Sequence, residues 1–199
     1  MISCYYNLNH YINQNYPEVC NIIDNNEFKD EDSYDATIDM IVELDFEVNC
    51  LDRDGYAPIH IAIDSLSTDH IQFFSQFLNC YHVDVNNKAL DGLTPLIQSI
   101  NRGELLFFDR LLTHSDLNIN DVDDSGNSAL HYAVIRCIEE QSPTQKTIYR
   151  VMAEKLINHG IDTSLENNDD FTAYDYVLKH SPPPLPELIL CFNPGLFEE

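Results

Sequence analysis

Residues 91–112 read DGLTPLIQSINRGELLFFDRLL, a short stretch that holds a turn, a helix start, a helix stop and a second helix start. Thr94 followed by Pro95 is an N-cap and then a proline at the first helical position, where a missing N–H leaves no bond unmade. A helix is predicted from Pro95 to about Asn101, because Gly103 suits the left-handed conformation that closes a helix. Leu105, Phe108 and Leu112 then return at helical spacing and predict a second helix. Helices of roughly eight to ten residues are marginal in water, since nucleation is costly and few hydrogen bonds offset it. Both must lean on neighbours, and further copies of the same unit would supply them.

Such copies are present. LDRDGYAPIHIAI at 51–63, ALDGLTPLIQSI at 89–100, DDSGNSALHYAV at 123–134 and NDDFTAYDYVL at 168–178 align in register. With Gly55, Gly92, Gly126 and Asp170 taken as equivalent, the intervals are 37, 34 and 44 residues, obtained by subtracting successive positions. Periods of this size mark stacked-repeat architectures. Each second helix leads into an alternating loop: FEVNCLD from 46, VDVNNKA from 83, LNINDVD from 117 and IDTSLEN from 161.

Over residues 34–180 these motifs resemble the ankyrin repeat, with its D-G turn, T-P-L-H helix start, second short helix and G-A-D-V-N-like loop, in that order. The resemblance implies an all-α ankyrin-repeat solenoid of stacked helix-turn-helix units with projecting loops. Residues 1–33 are expected to hold the first helix of a degenerate capping repeat, PEVCNIIDN, before an acidic loop and the helix DATIDMIVEL. The array itself is placed at 34–181, with turns near 55, 92, 126 and 170 and an insertion at 138–150, where Pro143 begins a lengthened second helix. Residues 182–199 form a C-terminal cap and tail, while 1–14 stay unassigned. In the last copy Asp170 stands at the glycine position and Asp175 at the histidine position.

The bulk composition narrows the class of function. Forty-four per cent apolar residues in 199 suit one soluble domain. The start, MISCYYNLNHYINQN, has neither a basic n-region nor an apolar core, so no secretory signal is expected, and no membrane-spanning run is visible. Cys4, Cys20, Cys50, Cys80, Cys137 and Cys191 form no C-x-x-C pair, which points to reduced thiols and a cytoplasmic setting. Ten basic against 34 acidic residues give a formal charge of −24, which disfavours nucleic acid and anionic membranes and favours a basic partner. Such acidity also serves solubility and keeps an array monomeric.

Three constellations bear on chemistry. His60 and His131 occupy the T-P-L-H position, where the resemblance implies that the imidazole bonds to neighbouring loop backbone and ties repeats together. Cys137 lies six residues beyond His131, nearly two helical turns away, so no nucleophile pair forms. DVDDSG at 121–126 copies the first half of a calcium loop, with Asp121, Asp123 and Ser125 alternating before Gly126. Tyr132 stands where a bidentate glutamate is required, and a glycine turn followed by the cap Ser128 accounts for the same letters.

The resemblance also implies which residues face the concave groove. These flank the turn glycine or end the first helix: Arg53, Tyr56, Leu90, Leu93, Asn127 and Phe171, with Arg102 and Arg136 on helix ends. Tyrosine, arginine and exposed apolar residues are the types that anchor protein interfaces. The expected function is non-catalytic binding of another protein with a basic surface, by a monomer without metal or cofactor. Its sharper form is a bacterial effector adaptor delivered into a host cell, an inhibitor, or an immunity-type protein; the ending NPGLFEE loosely resembles the glutamate-containing tails of type IV effectors. The alternative is an enzyme or metal-dependent module using the acidic loops and the 138–150 insertion, which would need convergent groups in a pocket.

Overall fold

A computed structural model describes residues 55–66, 71–79 and 83–180, together with 49, 51, 189, 191 and 192. The expected first repeat and Arg53 lie outside the described residues, as does most of the expected cap. Seven helices are described: α1 (Pro58–Ser65), α2 (Ile71–Leu78), α3 (Pro95–Arg102), α4 (Leu105–Leu112), α5 (Ala129–Glu139), α6 (Pro143–Asn158) and α7 (Ala173–His180). Among the described residues the only β-pairing is two isolated antiparallel bridges, Val122 with Ser128 and Glu166 with Thr172, each closing one turn loop. The fold is all-α.

Helix starts follow the letters that announced them. Thr94 Oγ1 accepts from Ile97 N–H at 3.2 Å above Pro95, and Ser142 Oγ accepts from Gln145 N–H above Pro143. α5 is capped reciprocally: the Ser128 hydroxyl accepts from the backbone at His131, and the His131 ring accepts from Ser128 N–H. α7 repeats the device with a carboxylate, since Asp175 accepts from Thr172 N–H at 2.9 Å while Asp175 N–H donates to Thr172 Oγ1. Gly103 closes α3 at φ 70°, and its N–H returns to the carbonyls of Ile100 and Ser99.

The chain divides into two compact units, Met1–Leu90 and Asp91–Glu199. In the first, the pair α1 and α2 buries Ile59, Ile63, Phe74, Phe77 and Leu78. In the second, the first helices α3, α5 and α7 pack side by side in chain order, and the second helices α4 and α6 pack on each other. Leu96, Ile100, Phe107, Phe108, Leu130, Met152, Leu156 and Val177 are essentially inaccessible there. On α4 the buried set is Phe107, Phe108, Leu111 and Leu112, a wider stripe than Leu105, Phe108 and Leu112. Leu105 is only half-buried; the wider stripe packs on two layers, the partner α3 and the following second helix α6.

The extra residues of the third interval extend helices. α5 and α6 run for 11 and 16 residues, against eight in each of α3 and α4. From α6, Gln145 donates to the Gly103 carbonyl at the end of α3, and Lys155 pairs with Asp109 on α4 at 2.6 Å. Near the C terminus, Phe192 packs its ring on Tyr174 at 5.1 Å.

Turn positions need positive φ. Asp170, at φ 61°, is the single non-glycine residue with this conformation among the described residues, and aspartate tolerates it better than most. Gly126 has a second reason to be glycine: a Cβ there would stand 2.9 Å from Asn168 Oδ1 and 3.0 Å from Asn168 N, in the next turn. Gly160 has the same sign of φ and open space around it. Gly160→Ala should therefore cost about 1 to 2 kcal/mol from backbone strain. Gly126→Ala should cost about 2 to 3 kcal/mol, since the neighbouring turn must also shift. Urea denaturation of both variants checks this, and equal losses would show that the turns do not stack tightly.

Candidate functional site

Two turn loops of the second unit, at Gly126 and Asp170, are built on one hydrogen-bond scheme. Asp123 Oδ1 accepts from the N–H groups of Ser125 (2.9 Å) and Asn127 (2.7 Å), while Oδ2 accepts from the Tyr132 hydroxyl at 2.7 Å. One repeat later, Asn167 Oδ1 accepts from Asp169 and Phe171 N–H, both at 3.1 Å. An Asx side chain three residues before the turn position thus folds each loop over itself. Asn167 also has an amide to donate, and it reaches Asn127 Oδ1 at 2.8 Å and the Tyr176 hydroxyl at 3.0 Å. Successive turns are joined through backbone as well: Asp124 N–H donates to the Asp91 carbonyl, and Asn168 N–H to that of Ser125.

This scheme accounts for the calcium-like letters. Both oxygens of Asp123 are committed within the loop, and Asp121 accepts from Asn118 Nδ2 at 2.7 Å. Among the described residues no group of three or more His, Cys, Asp or Glu could hold a metal ion. Cys137 directs its thiol to the Lys146 carbonyl at 3.5 Å. Burial, the Asp123 hydrogen bond and that carboxylate's charge all push the Tyr132 phenol well above its ordinary pKa, so it stays protonated as a brace.

His131 ties repeats together. Ser128 N–H donates to Nδ1 at 3.1 Å, so Nε2 carries the proton and donates to the Phe171 carbonyl of the next turn at 2.9 Å. His60 is buried in the equivalent place on α1, with the Tyr56 ring edge-on at 6.3 Å.

The residues expected to face a partner fall into three groups. Leu90 is 75% exposed and Tyr56 half-buried, both in the first unit. In the second unit Leu93 and Arg102 are half-buried; Arg136 donates to Asn101 and pairs loosely with the exposed Glu139. Asn127 and Phe171 are brought together through Asn167, and Phe171 lies against Tyr176 with ring centroids 5.6 Å apart. Over the Phe171 ring sits the Lys179 ammonium, 4.2 Å from the centroid. Tyr132, Tyr176 and Lys179 pack beside these residues, around the buried Asn167, and the sequence assigned none of the four to this side. The signal for the tyrosines was there: each follows its cap, Ser128 or Thr172, by four residues.

Residues 67–142 match the family model for ankyrin repeats in three copies. This stretch carries ankyrin repeats. Alpha-latrotoxin-Lhe1a of Latrodectus hesperus is 39% identical over 89 residues, 44% of this chain and 6% of that protein. Alpha-latrotoxin-Lg1a of Latrodectus geometricus is 35% identical over 101 residues, covering 48% and 7%. Neurogenic locus notch homolog protein 1 of Homo sapiens is 33% identical over 94 residues, covering 47% and 4%. The chain therefore spans less than a tenth of the length of these relatives. Ankyrin repeats are protein–protein interaction modules, generally without catalysis, and stacked repeats create extended concave surfaces that suit binding. Among the described residues no helix is long and apolar enough to cross a membrane.

Proposed function

We propose that this chain binds a basic segment of another protein through its turn tips and first-helix ends, acting as an adaptor or an inhibitor of the effector or immunity type. The observation that carries the reading is the charge of −24, combined with turns whose tips are held rigid by the Asx and tyrosine bonds. Rigid tips lose little entropy on binding, and a strong negative field accelerates encounter with a cationic partner. Leu93, Arg102, Asn127, Arg136 and Phe171 are the proposed contacts in the second unit. Tyr56, Leu90 and Arg53 hold the corresponding positions in the first. Six scattered cysteines without a C-x-x-C pair support a reducing, cytoplasmic setting, and self-repulsion supports a monomer.

Capture with the purified chain as bait, followed by kinetics on the partner retained, tests the reading. The association rate should fall at least about tenfold between about 0.01 M and about 0.5 M salt, with dissociation little changed. An association rate indifferent to salt would leave the acidity as a solubility device alone.

A further inference from the structure

The Phe171 ring is unusually well prepared for an aromatic side chain at a turn. Its backbone N–H is fixed by Asn167, its carbonyl accepts from His131, and one side of the ring packs on Tyr176. The ring is held in place before any partner arrives, so little freedom remains to be lost on binding. Its occupant in the free chain is a cation. Lys179, an exposed residue of α7 eight positions further on, places Nζ 4.2 Å from the ring centroid, inside the range for attraction to the aromatic face. The chain offers 34 acidic residues, yet among the described residues Lys179 enters no ion pair.

Exposed carboxylates follow the same row of tips. Asp91, Asp124, Asp169 and Asp170 are all exposed in successive turns that are hydrogen-bonded to one another. An arginine laid on the ring can stack its planar guanidinium and still direct N–H donors to a carboxylate, which a lysine ammonium does less well. The Lys179 stem is flexible and its head is in water, so it can leave at small cost.

We infer that the face of Phe171 under the Lys179 ammonium is a seat for an arginine or lysine side chain of a bound basic protein segment, and that Lys179 fills this seat until the partner's cation displaces it. This rests on the protein-binding reading above and names the chemistry of its central contact. Lys179 then acts as an internal competitor: it lowers affinity for singly charged, weak ligands and yields to segments whose other cations meet the tip carboxylates.

The test uses the full chain and two blocked peptides, acetyl-Gly-Arg-Gly-Arg-Gly-Arg-Gly-amide and its lysine counterpart, titrated in low salt with the Phe171 ring resonances observed. Arginine should bind more tightly than lysine and shift those resonances. Phe171→Leu should weaken the arginine peptide about two- to five-fold, the range expected for losing one exposed cation–aromatic contact. Lys179→Met should tighten it by a similar factor relative to Lys146→Met, which removes the same charge elsewhere. Equal effects of Lys179→Met and Lys146→Met, or an unchanged affinity in Phe171→Leu, would overturn the seat. The lysine pair keeps the test decisive should Phe171→Leu fold poorly. If a captured protein binds in a salt-sensitive manner while neither Phe171→Leu nor Lys179→Met alters it, the seat fails and the wider function stands. If the peptides follow the variants but no protein is retained, the reverse holds.

Discussion

Replacing Leu96 by alanine is expected to lower the unfolding free energy by about 2 to 5 kcal/mol, the usual cost of a buried leucine cavity. Leu96 is 2% exposed and sits one residue inside the N-terminus of α3, between Pro95 and Ile97, which are buried too. α3 is only eight residues long and cannot hold its shape by internal bonds alone. Its stability comes from packing on α4 and α5, so a void at Leu96 weakens two contacts at once. Leu106, 47% exposed on α4, is the matched control: its alanine variant should lose less than about 0.5 kcal/mol. Urea denaturation of both variants checks the contrast. A Leu96→Ala protein as stable as its parent would place the α3 register wrongly.

His131→Ala should cost about 2 to 5 kcal/mol, and the loss should shrink on acidification. The ring is 1% exposed, accepts the Ser128 N–H and donates to Phe171, so its removal opens a cavity, uncaps α5 and cuts one tie to the following turn. Burial holds its pKa below the ordinary value of 6.5, against the opposing pull of the Phe171 bond and the carboxylates of Asp123 and Asp175. Protonation would also place a second N–H on Nδ1, facing the N–H of Ser128. A histidine whose folded pKa is depressed binds its proton more readily when unfolded, so stability increases with pH across the window between the two values. The contribution is complete above about 6.5 and is lost as pH falls from there through the folded pKa. Asp175, whose carboxylate is held below its ordinary pKa by the Thr172 hydroxyl, adds a further loss below 3.8. Denaturation at about pH 7.5 and about pH 5 should therefore show a steeper decline in the parent than in His131→Ala. Parallel declines would mean that this ring titrates no differently folded and unfolded.

Much of this architecture is written in single residues and their recurrence. Thr94-Pro95, Ser142-Pro143, Gly103 and the turn glycines act through backbone preferences that belong to one residue or two, so their meaning survives without knowledge of any distant neighbour. Repetition at 37, 34 and 44 residues then converts these local signals into an order of helix pairs. Even Asp170 was legible as a turn residue, because its place in the register, more than its chemistry, identifies it.

The candidate site was legible only in outline. That residues beside the turn glycine stand near a binding side follows from the repeat; what their side chains touch does not. Asn127 reads as a groove-facing amide, yet it is tied to Asn167 forty positions on, and Asp109 of α4 pairs with Lys155 forty-six positions on. Phe171 reads as a projecting ring and is in fact pinned by His131, Asn167 and Tyr176, with Lys179 above it. Except for the Asn167–Phe171 bond within one loop, these partners lie in other repeats or on another element, at separations that one repeat's length and rotation determine. Side-chain hydrogen bonds fail beyond a few tenths of an ångström, so they depend on the stacking geometry that only the folded array supplies.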